Sequence, residues 1–511
     1  MAGPVGRSAT EGRGERFFSH LLPSPRDVLL VAALLTPIAV HVPDYDAFWH
    51  LKTGDLILAT HHVPVTDPFS FTARGRPWIA HEWVPEVLFA ALVRAAGLDA
   101  LVFLKSVLFT ATLAILWGIL GASLGRFPLA RLFVCLMVFA SLVPTLTARP
   151  WMLSFVLLPL LSMAFLARGP SWRRSAFVLG LLLAVWMNVH GMFVIGYLWL
   201  GLQVVGALTD RLRGVTIDRA WDLFRPVAGM AIGTLGALVH PARLAVLTYP
   251  LEYQFSKTHD TILEWQPVDM QGAYGRFLLA AFALGLVALA RAGAGGAAWW
   301  TFSVFSYLAF TSRRNISVMS LACAPFVAQA VATLLSRPRG DGGVTRFLWR
   351  RFDNFNEVAL RFARSIYAAI LAVFLAVFFL FLNPLPADAL FKTPSFDRLF
   401  PVEAVRWMRS QPDAAAHRIF NFYGWGGYLI SEGIPTFIDG RADLYGLAMM
   451  QDYHAVMGAG QDWRAVLERH HVDMVLVPGG SVLGQVLARD PGWVMVHADP
   501  TAMVFRRPPA P

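Results

Sequence analysis

The chain has 511 residues, of which 56% are hydrophobic and only 15% are charged. An ordinary soluble domain contains about 25% charged residues, and a single soluble core of ordinary size has no room for this apolar excess. The composition therefore excludes disordered, collagenous and disulfide-rich chains and predicts a multi-pass helical membrane protein.

Apolar segments that are suited to crossing a membrane recur over residues 28–383. A spanning helix needs about 20 mostly apolar residues. About eleven are predicted, with starts near residues 28, 98, 132, 151, 176, 191, 222, 276, 298, 315 and 366. The predicted fold class is an all-α polytopic membrane domain that follows an N-terminal tail, 1–27.

The basic residues predict the orientation of these helices. The net charge is +10, from 43 basic and 33 acidic residues, but no aromatic and basic nucleic-acid module is visible, so no nucleic acid partner is expected. Arginines are instead expected in the cytoplasmic loops. A cytoplasmic N-terminus satisfies this rule and makes 336–365 a cytoplasmic loop. The loops 43–97 and 241–275, and everything after about 384, are then outside.

The last part of the chain, 384–511, has turn signals, charges and short apolar runs. These patterns predict a small extracytoplasmic α/β domain. Its predicted strands are Ile419–Phe422, Thr436–Ile438, Met474–Val477, Trp493–His497 and Met503–Arg506. Its predicted helices are Val402–Arg409, Trp463–His470 and Val482–Ala488.

The first outer loop is rich in aromatic, acidic and histidine residues. It contains the segments Pro43–His50, Thr66–Ser70 and Pro77–Trp83. Phe48–Leu58 and Trp83–Val93 each have an apolar face at helical spacing. Both are predicted to be interfacial helices that lie in the membrane plane.

Two aspartates follow the first predicted span, Asp44 and Asp46. A sheltered carboxylate at this boundary suits a general base or a metal ligand. The alternative is a structural role as the N-cap of the helix that follows. Together with Glu82, the pair has the oxygen ligands for a divalent cation, but no spacing here assigns a metal site, and no other cofactor is expected.

Other ionisable residues lie at the ends of the predicted spans, where they usually face a cavity or a partner. A guanidinium group in this position suits a phosphate, whereas the alternative is snorkelling to lipid headgroups. His81, which precedes Glu82, and His50 are further substrate-binding candidates, although His81-Glu82 lacks the second histidine of a zinc protease motif. The span-end candidates for substrate binding are Arg149, His190, Glu264, Arg313 and Arg314.

The tail contains a second group of charged candidates. Asp439, Arg441 and Asp443 lie close together in sequence and suit a sugar site, but a self-paired salt-bridge turn explains them equally well. The nearby Gly424–Gly427 lacks the spacing of a phosphate-binding loop and is predicted to be a tight turn.

Several of these motifs together resemble a known superfamily. Asp-x-Phe-Trp-His, Thr-Asp-Pro-Phe-Ser and Pro-Trp-x-x-His-Glu-Trp are similar to motifs of bacterial polytopic proteins placed with the GT-C glycosyltransferases. Protein O-mannosyltransferase-like and aminoarabinose-transferase-like enzymes belong to this superfamily. The resemblance extends over residues 44–445 and includes Ala148–Pro150, Trp186–Gly191, Glu264–Trp265 and Ser312–Arg314.

The resemblance implies a glycosyltransferase of the bacterial inner membrane that uses a polyprenyl-phosphate-linked sugar as donor. It implies a catalytic aspartate at Asp46, or at Asp44 if the alignment slides by two residues. Glu82 would complete the acidic wall of the site, and His50, four residues after Asp46 on the same helical face, would orient that aspartate or the acceptor.

Two other functions remain open at this point: a transporter or flippase for a lipid-linked saccharide, and a catalytically silent scaffold for envelope assembly. A transporter favours internal repeats, and none is visible in the sequence. The sugar and the extracytoplasmic acceptor, which is a glycan, a lipid or a protein, are not assigned by the sequence.

Overall fold

A computed structural model of the protein describes residues 25–39, 44–167, 171–215, 221–337, 396–411 and 417–508. A helix is present at each of the first ten predicted membrane spans. The eleventh, near residue 366, lies outside the described residues. So do the tail 1–24, nearly all of the predicted cytoplasmic loop 336–365 and the predicted domain boundary at 384.

The first part of the described chain is helical. Five of its described helices are long and apolar enough to cross a membrane: α4, α5 with the turn that follows it, α8, α11 and α13. The helices are α1 Pro25–Ala39, α2 Ala47–Thr60, α3 Trp83–Ala96, α4 Asp99–Leu124, α5 Pro128–Leu142, α6 Trp151–Leu166, α7 Trp172–Val189, α8 Phe193–Leu212, α9 Trp221–Thr234, α10 Ala245–Phe255, α11 Ala273–Ala292, α12 Gly296–Thr311 and α13 Asn315–Ser336.

Helix α4 shows why these segments belong in a bilayer. Leu113, Leu116 and Leu120 lie on one face at helical spacing and are fully buried in the helical core. Phe103 and Val107 of the same helix are 67% and 41% exposed. A helix that is apolar on its buried and its exposed faces is suited to a lipid environment rather than to water.

The two predicted interfacial helices are present as α2 and α3, and they pack against each other. The contact is close at Gly54, where an added Cβ would lie 1.9 Å from the carbonyl oxygen of Glu86. Any larger residue at position 54 would push the two helices apart. This contact fixes the relative position of the polar side chains that both helices carry.

The C-terminal domain combines a four-stranded sheet with short helices. The sheet order is β1-β2-β4-β3, with β1 and β2 parallel and the other two pairs antiparallel. The elements are α14 Phe396–Leu399, α15 Val402–Ser410, β1 Ile419–Asn421, α16 Gly426–Ser431, α17 Ala442–Met457, α18 Trp463–Arg469, β2 Met474–Pro478, α19 Val482–Leu487, β3 Val494–Ala498 and β4 Ala502–Arg506.

Two sequence predictions in this domain were wrong. Thr436–Ile438 does not form a strand, because the side chain of Asn421 takes up its backbone groups: its Oδ1 accepts from Phe437 N and its Nδ2 donates to Ile438 O. Only isolated bridges to Ser70 and Ile419 remain. The glycines at 424–427 are not a simple turn, since Gly426 begins helix α16.

The C-terminal domain packs directly on the first outer loop. Phe71 N donates to Thr436 O at 3.1 Å, and the Thr72 hydroxyl donates to Phe437 O at 2.6 Å. Phe48 of α2 lies among the aromatic rings of the domain, 5.1 Å from the ring of Phe400. The loop and the domain therefore lie on the same side of the membrane.

Candidate functional site

A cavity of about 300 Å³ opens between the first outer loop, the span ends, α10 and the C-terminal domain. Ten of the thirteen site residues predicted from the sequence line it; Asp44, Arg313 and Asp439 do not. The lining includes Tyr45, Asp46, Trp49, His50, His81, Glu82, Arg149, Trp151, His190, Tyr249, Tyr253, Glu264, Trp265, Arg314, Tyr423, Arg441 and Asp443.

The two aspartates before α2 have different roles. Asp44 Oδ1 accepts the backbone N–H groups of Asp46 and Ala47 at 3.0 and 3.2 Å, so Asp44 caps the helix. Asp46 is the formal N-cap residue, yet its side chain makes no capping hydrogen bond. Its carboxylate lies instead in the cavity wall. The N-cap interpretation therefore holds for Asp44 and leaves Asp46 available for chemistry.

Arg149 joins both aspartates to the far wall of the cavity. Its Nε lies 3.0 Å from Asp44 Oδ1, its Nη2 lies 2.9 Å from Asp46 Oδ2, and its Nη1 lies 3.8 Å from Glu264. The side chain is 19% exposed, so these contacts are largely shielded from water. The guanidinium fork fixes the orientation of Asp46 within the cavity.

Burial raises the pKa of Asp46 to about 6, although the Arg149 charge acts in the opposite direction. A carboxyl group that titrates near neutral pH is suited to accept a proton during a reaction. The Asp46 carboxylate lies directly against Gly440, where an added Cβ would lie 1.9 Å from Asp46 Oδ1. The C-terminal domain thus contributes the residue that leaves room for the Asp46 carboxylate.

The two neighbouring arginines of the predicted phosphate site point in different directions, and only one of them reaches the cavity. Arg314 lines the cavity, 3.4 Å from Glu264 and with its guanidinium 4.3 Å from the ring centroid of Trp265. Arg313 instead donates through Nε to the carbonyl of Pro267 at 3.3 Å. Only Arg314 of this pair is therefore in a position to meet a ligand in the cavity.

Hydrogen bonds orient His190 beside Glu82. Met192 N donates to His190 Nδ1 at 3.2 Å, so this nitrogen is the acceptor and Nε2 carries the hydrogen. His190 Nε2 lies 3.0 Å from Glu82 Oε1. Trp186 Nε1 donates to Ser154 Oγ, which lies 3.0 Å from the same Nδ1. Burial lowers the pKa of His190 to about 3, which keeps the imidazole neutral.

His50 faces the space between Glu82 and Glu86 rather than Asp46. Its Nδ1 lies 3.2 Å from Glu86 Oε1 and 3.6 Å from Glu82 Oε2. Burial raises the pKa of both glutamates and lowers the pKa of His50. This contact does not support the prediction that His50 orients Asp46, because the imidazole is directed towards the two glutamates. A role of His50 towards the acceptor stays a prediction, since His50 also lines the cavity.

The three charged candidates of the C-terminal domain, Asp439, Arg441 and Asp443, have two different environments. Arg441 is 1% exposed and holds Asp439 through Nε and Nη2 at 2.8 and 2.7 Å, while its Nη1 lies 2.8 Å from Asp67 of the first outer loop. These contacts form a buried clamp and favour the salt-bridge interpretation for Asp439 and Arg441. Asp443 faces the cavity and accepts from the Tyr249 hydroxyl at 2.7 Å.

Comparison with known proteins identifies the architecture. No family model and no curated protein matches the chain. Among solved structures it is similar to the oligosaccharyltransferase AglB from Archaeoglobus fulgidus, in complex with an inhibitory peptide and a dolichol-phosphate. The TM-score is 0.56 at 11% identity, over 88% of this chain and 69% of AglB. The chain has a GT-C fold.

A second GT-C structure matches over almost the whole of both chains. ArnT from Cupriavidus metallidurans, bound to undecaprenyl phosphate, has a TM-score of 0.51 and 14% identity over 94% of this chain and 96% of ArnT. The superfamily resemblance of the sequence motifs is thereby confirmed at the level of the fold, and the chain is a multi-pass membrane protein.

Three residues of this region are not among the candidates predicted from the sequence. Glu86 lies four residues after Glu82, the N-cap residue of α3, and this helical spacing was the signal that the two carboxylates lie on the same side. Asp67 stands in the sequence only as part of a motif, whereas in the structure its buried carboxylate lies 2.8 Å from Arg441. Tyr249 had no local signal, since its role depends on Asp443, 194 positions away.

Proposed function

We propose that this protein transfers a sugar from a polyprenyl-phosphate-linked donor to an extracytoplasmic acceptor, with Asp46 as general base. The observation that carries the proposal is the Asp46 carboxylate, held 2.9 Å from Arg149 in the wall of a cavity of a GT-C fold. The neighbours AglB and ArnT were solved with dolichol-phosphate and undecaprenyl phosphate.

The proposed reaction is a direct displacement at the anomeric carbon. Asp46 takes the proton of the acceptor hydroxyl as the acceptor oxygen attacks that carbon. The bond from the anomeric carbon to the phosphate oxygen breaks, and the lipid phosphate leaves with the bonding electrons. General base catalysis of this kind contributes about 10²–10⁴-fold in rate.

Arg149 and Arg314 supply positive charge for the departing phosphate. Both face Glu264, at 3.8 and 3.4 Å, and the Glu264 side chain is 35% exposed, more than that of Asp46. A donor phosphate therefore displaces Glu264 most readily and takes its place between the two guanidinium groups. Guanidinium–phosphate pairs of this type are strong because both partners are ionised.

Aromatic side chains complete a surface that suits a sugar and a lipid. Tyr253, Trp265 and Trp151 line the cavity beside the two arginines, and Tyr423 closes it from the C-terminal domain. Flat apolar rings pack against sugar rings and prenyl chains, whereas the acidic residues bind hydroxyl groups. The acceptor enters on the side of the C-terminal domain, which lies outside.

The test is a transfer assay on the full-length protein reconstituted in nanodiscs. Radiolabelled polyprenyl-phosphate-linked hexoses are supplied with and without an extract of cell-envelope acceptors. The expected result is label in the acceptor fraction with release of polyprenyl phosphate. Asp46→Asn is expected to lose this transfer while its thermal unfolding stays close to wild type.

Asp55→Asn serves as the matched control, because Asp55 lies on the same helix in an exposed pair with Arg94. It is expected to transfer at the wild-type rate. Movement of the donor across liposomes without transfer would support a flippase, and neither transfer nor movement would support a scaffold. Either result contradicts the proposal.

A further inference from the structure

Between the two interfacial helices lies a buried cluster that the proposed reaction does not use. It consists of His50 on α2, Glu86 on α3 and Glu82, which immediately precedes α3. Their exposed fractions are 2%, 1% and 8%. Among the described residues, this is the group of histidines and carboxylates whose ligand atoms all lie within 4.8 Å of one another.

One carboxylate oxygen of the cluster is buried without a partner. Glu86 Oε2 is buried and has no hydrogen-bond partner among the described residues. A buried polar atom without a partner is costly, and a buried unpaired charge more so. His50 Nδ1 lies beside the other oxygen of this carboxylate, Oε1, at 3.2 Å. A divalent cation would neutralise the two carboxylates.

The distances within the cluster match a metal centre. Zinc bonds of about 2.0–2.1 Å to nitrogen and oxygen at tetrahedral angles place neighbouring ligand atoms about 3.3–3.4 Å apart. His50 Nδ1 lies 3.2 Å from Glu86 Oε1 and 3.6 Å from Glu82 Oε2, values on either side of that separation. A single hydrogen bond between His50 Nδ1 and Glu86 Oε1 also explains the 3.2 Å distance, but it leaves Glu86 Oε2 without a partner.

A second histidine, His190, lies beside one of the proposed ligands. His190 Nε2 lies 3.0 Å from Glu82 Oε1, whereas the other oxygen of this carboxylate, Oε2, lies 3.6 Å from His50 Nδ1. A neighbouring polar group in this position orients a metal-binding carboxylate and raises affinity. The donor set of one imidazole and two carboxylates suits zinc or a similar transition ion better than magnesium or calcium, which prefer oxygen alone.

We infer that His50, Glu82 and Glu86 bind a divalent transition-metal ion that joins α2 to α3. The site is separate from the Asp46–Arg149 pair of the cavity. The ion would hold the start of α3 against α2, the helix that begins directly after Asp46. Its role is that of a structural tie, and it does not depend on the proposed transfer reaction.

The test measures metal content and requires no substrate. The full-length protein is stripped with a chelator, dialysed against zinc and analysed by elemental mass spectrometry. One zinc ion per chain is expected for wild type and for the Asp55→Asn control. Glu86→Gln and His50→Gln are expected to lower zinc affinity by more than the ~10–100-fold typical of outer-shell partners.

A cobalt experiment covers the case in which those variants fail to fold. Glu86→Cys keeps a ligand at this position, so a folded, cobalt-loaded sample is expected to show a thiolate-to-cobalt absorption band that wild type lacks. Absence of the band would overturn the assignment, as would a wild-type protein that binds no zinc. Zinc binding that is lost in Asp46→Asn and kept in Glu86→Gln would place the metal at the Asp46–Arg149 pair instead and would overturn the assignment equally.

Discussion

Arg149 Nη2 lies 2.9 Å from Asp46 Oδ2, although the two residues belong to separate segments at the ends of different helices. The pair brings the first outer loop to the start of α6. It also places a carboxylate with a raised pKa beside a permanent positive charge. A base and a phosphate-binding group thus occupy one cavity, and the first predictions follow from this contact.

The pH dependence of transfer is expected to follow Asp46. Burial raises its pKa to about 6, and only the deprotonated form acts as a base, so kcat/KM should rise with pH through about 6 and then level off. Arg149 lowers that pKa, so Arg149→Gln should move the midpoint to higher pH. Arg94→Gln, in an exposed pair, is the control; equal midpoints for both variants would contradict the assignment.

Asp44 is expected to act on stability more than on catalysis. Its side chain accepts two backbone N–H groups of the helix start, which asparagine also accepts. Asp44→Asn should therefore transfer sugar at a rate much closer to wild type than Asp46→Asn does. Asp44→Ala loses the cap, worth about 1 kcal/mol. Thermal unfolding and turnover on the same samples separate the effects; complete inactivity of Asp44→Asn would reverse the two roles.

Gly440→Ala is expected to reduce turnover without contact to the substrate. The new methyl group would lie 1.9 Å from Asp46 Oδ1, so the carboxylate must move. A shift of this size in a catalytic group costs up to about 10²-fold in rate. Gly480→Ala is the control, because no atom lies within 4 Å of its added Cβ. Equal kcat values for the two variants would show that Asp46 tolerates displacement.

The Asp67–Arg441–Asp439 clamp is expected to dominate the stability of the outer region. Arg441→Met leaves two buried carboxylates without their partner, a change that typically costs about 3–5 kcal/mol. Limited proteolysis should release the C-terminal domain earlier in this variant. Arg406→Gln breaks an exposed pair with Glu403 and should change little. Similar proteolysis of both variants would argue against the clamp.

The topology is expected to place Gly340 in the cytoplasm and Gly446 outside. The arginine-rich segment around Gly340 follows the positive-inside rule, and Gly446 belongs to the domain that packs on the first outer loop. Fusions at these positions to a reporter active on only one side of the membrane should give opposite signals. Identical signals would contradict the orientation.

Much of the fold could be predicted from the sequence because the signals are local. The apolar segments predicted ten helices that the structure contains, and short apolar runs predicted strands such as Met474–Val477. Both follow from the local apolar pattern within a window of about 20 residues. The failure at Thr436–Ile438 shows the limit of such signals, since a distant side chain, Asn421, competes for the same backbone groups.

The sequence by itself therefore determined a helical membrane protein, its two helices in the first outer loop and a short list of polar candidates. Only the tertiary structure decided which candidate does what. Asp46 and Arg149 are 103 positions apart, and Asp67 and Arg441 are 374 apart. Whether a carboxylate caps a helix, faces a cavity or is buried in a clamp depends on partners that folding brings to it. Those partners control its desolvation and pairing, and a local pattern in the sequence does not contain them.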